Sequence, residues 1–148
     1  ILGGGPEQER LTALANQLGV AERVAFLPQV PSAEIAACYH ALDVLALPSL
    51  TCAHWKEQFG RVLVEAMASG VPVVGSDSGA IPGVIGDAGL IVPEGDSSAL
   101  AEALRRLRDQ PDLYEGLRQR GRQRAVEHFS HEHVATATVS VYREMLEA

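Results

Sequence analysis

Lys56-Glu57-Gln58-Phe59-Gly60-Arg61-Val62-Leu63-Val64-Glu65-Ala66-Met67-Ala68-Ser69-Gly70-Val71-Pro72-Val73-Val74 is the stretch from which the rest of the chain can be read. It divides into a polar loop, a helix of about Phe59 to Ser69 and an apolar strand of Val71 to Val74. Gly70 stands where a helix-ending glycine belongs. The loop follows Leu47-Pro48-Ser49, so it lies beyond the C-terminal end of an earlier strand. In open α/β sheets that edge is where ligands bind. The helix start points backbone N–H groups of Phe59, Gly60 and Arg61 outward at its positive end, a seat for a diphosphate.

Loop–helix–strand units of this kind recur on both sides of the stretch. Further strand candidates are Ile1-Leu2, Val24 to Leu27, Val44 to Leu47 and Leu90 to Val92. Helices are expected at Glu7 to Leu18, Ala33 to His40 and Ile81 to Ile85. Alternating apolar strands and amphipathic helices predict a Rossmann-like parallel sheet flanked by helices, with strands apolar on both faces. After Pro93-Glu94-Gly95-Asp96 the strands stop. Ser97-Ser98 leads into a helix to Arg108, Pro111 opens one reaching Glu127, and Ser130 caps a last one from His131 to Leu146. Val134, Ala137, Val141 and Met145 fall on one stripe of that last helix, which predicts a terminal helical layer.

The bulk numbers narrow the function classes. With 148 residues the chain fits one domain. A formal net charge of -7 argues against nucleic acid or an anionic membrane as the main partner. Cys38 and Cys52 read as two free thiols, and no stretch approaches the ~20 apolar residues of a membrane span. The opening Ile1-Leu2-Gly3-Gly4-Gly5-Pro6 reads as a strand tail entering a turn, hence as part of a longer polypeptide. Gln8 stands where a dinucleotide-binding fingerprint needs its last glycine, so an NAD site is not expected. His128, His131 and His133, and Cys52 with His54, lack the paired spacing of zinc ligands.

Glu65 is the odd residue of the central stretch. It lies within an otherwise apolar helix, on a narrow polar stripe with Gln58, Arg61 and Ser69. One reading makes it a surface carboxylate paired with Arg61 at i, i+4, although acid after base is the weaker order for such a pair. The other makes it mostly buried and in need of donors, which vicinal ribose hydroxyls would supply. Composition leaves these two nearly even.

The spacing Glu57-x7-Glu65, with Phe59-Gly60 inside it and Glu65-Ala66-Met67-Ala68-Ser69-Gly70-Val71-Pro72 after it, resembles the donor signature of the retaining GT-B glycosyltransferases of family 4. Matches at Gly3-Gly4-Gly5-Pro6-Glu7, Ala41-Leu42-Asp43-Val44, Pro48-Ser49, Ser76-Asp77-Ser78-Gly79 and Ala88-Gly89-Leu90-Ile91-Val92 extend it along nearly the whole chain. The resemblance implies a C-terminal donor-binding domain over residues 1–148, truncated at its N-terminal edge, with the acceptor-binding domain absent. It implies that Glu65 holds the ribose and that Glu57 contacts the donor sugar near the reacting face, as the catalytic position. Amides of Gln58, Phe59, Gly60 and Arg61 would meet sugar and distal phosphate, Val30 would edge the base, and Gly4 would line the cleft floor.

The expected donor is a UDP- or GDP-sugar, the transferred group a hexosyl unit, and no metal is expected. The family's diphosphate-clamping Arg and Lys lie before the Gly-rich turn, so this piece alone is expected to bind donor weakly and transfer nothing. Gly83 replaces a frequent acid, and His131 a frequent aromatic. Trp55 is expected to anchor the loop, and Asp43 to mark a helix–strand junction. The setting implied is cytoplasmic, with a peripheral place at the inner membrane face for the full-length enzyme as a variant. The alternatives are a nucleotide-sugar-binding module without turnover and a GT-B nucleotide-sugar epimerase.

Overall fold

The computed structural model describes residues 1–147, as two compact units that divide after Ala37. In the first unit, α1 (Gln8–Gln17) ends at Gly19, whose φ of +66° suits a glycine after a helix. The two strands expected there shrink to one parallel bridge, Leu2 to Leu27, closed by Gly3 N–H to the Leu27 carbonyl and Leu27 N–H to that of Ile1. Gly3 and the turn before α1 cut the first run short, and a single bridge does not propagate. Helix α2 (Ile35–His40) carries the chain into the second unit.

The second unit holds a parallel sheet of β1 (Leu45–Leu47), β2 (Val73–Ser76) and β3 (Leu90–Val92), in that spatial order. Leu45 pairs with Val73, and Val74 with Leu90. Helices α3 (Arg61–Ala68) and α4 (Ile81–Ile85) supply the crossovers. Only β2 is buried along its whole length. Ala46 on β1 and Ile91 on β3 are exposed, which corrects the expectation of strands apolar and covered on both faces. Both belong to edge strands.

Alternation along β2 sends its residues to two layers. Val74 joins Val92, Ala103, Leu107 and Leu117 in one buried cluster. Gly75, of opposite parity, lies against α4: a Cβ placed there would stand 2.4 Å from Ile81 Cγ2 and 2.7 Å from Ile85 Cδ1. Helix α5 (Ser97–Asp109) is capped by Asp96, whose carboxylate accepts from Ala99 N–H, rather than by Ser97 or Ser98. The aspartate sits one residue earlier, where its oxygen reaches the first free amides.

Helix α6 (Pro111–Phe129) uses two of its arginines to bond the segment that ends α4. Arg124 donates to the carbonyls of Val84 and Gly83, and Arg120 to that of Asp87, satisfying groups around the end of α4. Helix α7 (His131–Glu147) begins as expected, with Ser130 Oγ accepting from His133 N–H at 3.2 Å. Its stripe does not form a buried layer: Val134, Val141 and Met145 are more than half exposed. The helix meets α6 and buries none of its own side chains. Among the described residues no helix is long and apolar enough to cross a membrane.

Candidate functional site

Parallel strands deliver their following loops to one edge, and hydrogen bonds join the three loops there. Ser76 Oγ donates to the Ser49 carbonyl at 2.6 Å, tying the end of β2 to the loop after β1. Thr51 Oγ1 lies 3.0 Å from Ser78 Oγ, and its hydroxyl and N–H both donate to the Glu94 carboxylate. Glu94 N–H donates to Asp77 Oδ1 at 2.8 Å. Ser76 and Ser78 are buried, and each has a partner. The tip of the loop is closed by Cys52 and Trp55, whose N–H and carbonyl groups bond reciprocally. Trp55 anchors the loop through its backbone, since its side chain is half exposed.

The hydrogen bonds from Thr51 hold the Glu94 carboxyl below its ordinary 4.5. A pKa lowered by folding stabilises the folded form above the unfolded value, and the gain is lost as pH falls through the lower folded value. The Thr51 amide resonance, followed from about pH 6 to about pH 2.5, is expected to titrate with a midpoint under 4.5. A midpoint at or above 4.5 would contradict the contact.

Glu57 enters this framework through its backbone. Its carbonyl accepts from Ala80 N–H at 2.9 Å, so the turn between β2 and α4 lies against it. Gly79 makes that approach possible: φ is +53°, and a Cβ there would sit 2.0 Å from the Glu57 carbonyl oxygen. Sequence reasoning noted Gly79 only as part of a matching run, and its φ was the missing information. The Glu57 carboxylate then folds back, with Oε1 accepting from Gly60 N–H at 3.1 Å and Oε2 lying 3.4 Å from Ser49 Oγ.

This corrects the expectation of a free amide at Gly60. Gly60 is left-handed (φ +80°), α3 starts one residue later at Arg61, and the Gly60 amide is taken by Glu57. The N–H groups of Phe59, Arg61 and Val62 have no partner among the described residues. Gln58 and Phe59 are exposed, and the Phe59 ring meets that of Phe129 edge-on at 5.7 Å.

One turn further along α3, Glu65 combines parts of both readings: it is partly buried, and it is already paired. Its side chain is 31% exposed, and Oε1 lies 3.1 Å from Arg61 Nε. A whole i, i+4 ion pair is worth only ~0.2–0.5 kcal/mol, so the weaker order is too small an effect to keep the neighbours apart. Glu65 Oε2 accepts from the hydroxyl of Tyr39 at 2.7 Å, a partner the sequence reading missed because it lies 26 residues away on α2. Burial, then the hydrogen bond to Glu65, raises the Tyr39 pKa far above its usual value, so the phenol remains the donor.

The structure therefore brings Glu57, Gln58, Phe59, Gly60, Arg61 and Glu65 together around the start of α3 in the second unit. Val30 and Gly4 belong to the first unit. There Gly4 lines a cleft of about 210 Å³ with Gly3, Gly5 and Phe26, and Val30 lies half-buried outside regular structure. The described residues contain no group of three or more His, Cys, Asp or Glu side chains placed to hold a metal ion. His128 and His133 lie with ring centroids 6.0 Å apart at the α6–α7 corner.

Comparison with known proteins bears on this arrangement. The chain is 36% identical to a D-inositol 3-phosphate glycosyltransferase from Saccharomonospora viridis over 149 aligned residues, covering 99% of this chain and 33% of that protein. It thus spans about a third of the length of the curated relatives it matches. A sucrose-phosphate synthase from Thermosynechococcus elongatus superposes with a TM-score of 0.84 at 32% identity, over 99% of this chain and 38% of that one. The Anabaena protein HepE, solved in complex with UDP, superposes with a TM-score of 0.79 at 26% identity, over 96% and 38% of the two chains. The family model described as glycosyl transferases group 1 matches residues 1–124. With that match and this sheet, the chain belongs to the glycosyl transferases group 1 family and carries its GT-B, Rossmann-like architecture.

Proposed function

We propose that the chain is the donor-binding domain of a retaining glycosyltransferase that passes a hexosyl group from a UDP- or GDP-sugar to an acceptor held by a further domain. The observation that carries this reading is the pair of carboxylates around the first turns of α3. Glu57 lies before the helix start and Glu65 one turn in, with unpartnered amides at Phe59, Arg61 and Val62 between them. Carboxylates suit hydroxyl donors, and amides at a helix start suit phosphate. The UDP bound by HepE supports a nucleotide diphosphate as the ligand class.

In this reading Glu65 accepts from the ribose hydroxyls and Glu57 from the sugar beside the reacting carbon. The amides of Gln58, Phe59 and Arg61 meet the sugar and distal phosphate. Retaining transfer expels the diphosphate from the face the acceptor then occupies. Negative charge grows on the leaving oxygen as the glycosidic bond lengthens, so donors fixed before the reaction lower the barrier most. The domain assignment covers residues 1–148. By itself the chain is expected to bind donor without transferring it.

Calorimetric titration of the chain with UDP, GDP and ADP tests the reading. One diphosphate is expected to bind measurably, and Glu65→Ala to weaken it about tenfold or more, the worth of one hydrogen bond to a charged group. Silence with all three at about 1 mM, a ~4 kcal/mol affinity floor, or an unchanged dissociation constant in Glu65→Ala, overturns it.

A further inference from the structure

Glu65 has two partners of very different character. Arg61 reaches Oε1 along the helix surface with a side chain 78% exposed, where water and salt compete for it. Tyr39 reaches Oε2 from inside the fold, 5% exposed, at 2.7 Å. It sits in the last turn of α2, one short connection ahead of β1. A phenol has one proton to give, and this one goes to Oε2. Burial and the neighbouring carboxylate both resist its loss.

The consequence is geometric. A glutamate on a helix has three side-chain torsions, and a salt bridge to a mobile arginine fixes none of them tightly. A short bond from a buried phenol fixes where Oε2 lies, and with it the plane of the carboxylate. A carboxylate held in one plane can meet two adjacent hydroxyls together, whereas a rotating one meets them one at a time.

We propose that Tyr39 is a positioning residue that locks the Glu65 carboxylate so that both hydroxyls of a ribose are read at once, making it a determinant of selectivity for ribonucleotides over 2′-deoxyribonucleotides. The inference rests on the assignment of Glu65 to the ribose. It adds a residue outside the Glu57–Glu65 signature, on a different helix. Its mark is the ratio of two affinities, which a residue serving stability alone would leave unchanged.

The test titrates UDP and dUDP into the chain and into its Tyr39→Phe and Glu65→Ala variants, with melting curves to verify folding. Phenylalanine keeps the ring that fills the site. The unaltered chain is expected to prefer UDP by about tenfold or more, since the missing hydroxyl removes a hydrogen bond to a charged acceptor. Glu65→Ala should bring the ratio close to one, and Tyr39→Phe should lower it several-fold. If Tyr39→Phe keeps the original ratio, or weakens both nucleotides equally, while Glu65→Ala abolishes it, the positioning role is overturned and the ribose assignment stands. If Glu65→Ala keeps the ratio, the ribose assignment itself fails.

Discussion

Gly79→Ala is expected to lower stability by about 2–3 kcal/mol and to weaken nucleotide binding at least about tenfold. Two costs coincide at this residue. An alanine at φ +53° pays the left-handed penalty of ~1–2 kcal/mol. Its Cβ would also lie 2.0 Å from the Glu57 carbonyl oxygen, and a backbone atom cannot rotate away as a side-chain tip can. The loop must retreat, breaking the Ala80 to Glu57 hydrogen bond and moving the carboxylate. Gly83→Ala is the control, because a Cβ there meets nothing within 4 Å. Melting curves and UDP titrations of both variants decide the matter. Equal behaviour of the two would remove Gly79 from the site's framework.

The second large effect belongs to the sheet. Gly75→Ala puts a methyl 2.4 Å from Ile81 Cγ2 and 2.7 Å from Ile85 Cδ1, on the fully buried strand β2. Overpacking of this kind costs ~1–3 kcal/mol, or a melting-temperature fall of about 3–10 °C in a domain of this size. Truncating the opposing residue should relieve part of it. Ile81→Ala is destabilising alone through the cavity it leaves, and the double variant should be more stable than the sum of the singles predicts. Strict additivity would mean that Gly75 and Ile81 do not share the space.

These two glycines show where sequence reading stops. The alternation of strands and helices was plain in residues such as Val71 to Val74 and Leu90 to Val92, because burial and periodicity leave a local trace. Helix ends marked by Gly70 and Ser130 lay where the residue types put them. The same local logic misplaced the cap of α5 by one residue, and could not show that the first two strand candidates would form only a single bridge. It also could not foresee the bare flank of α7. Long-range pairings were hidden altogether: Tyr39 with Glu65, Thr51 with Glu94, and Gly79 under Glu57 join residues 26, 43 and 22 positions apart. The Glu57 to Glu65 constellation itself was recognisable because its members share one loop and one helix.

The reciprocal bonds between Cys52 and Trp55 set how this protein can vary in length. Both ends of the tip Ala53-His54 are tied to each other, and Thr51 and Glu57 are tied separately to the loops after β3 and β2. Residues inserted at the tip would bulge outward at an entropic cost of ~0.6 kcal/mol per doubling of loop length. An insertion between Trp55 and Gly60 has no such outlet, because it must push Glu57 off the turn that holds it. Added length is therefore expected to be tolerated at the tip alone, where the Glu57 carboxylate keeps its place.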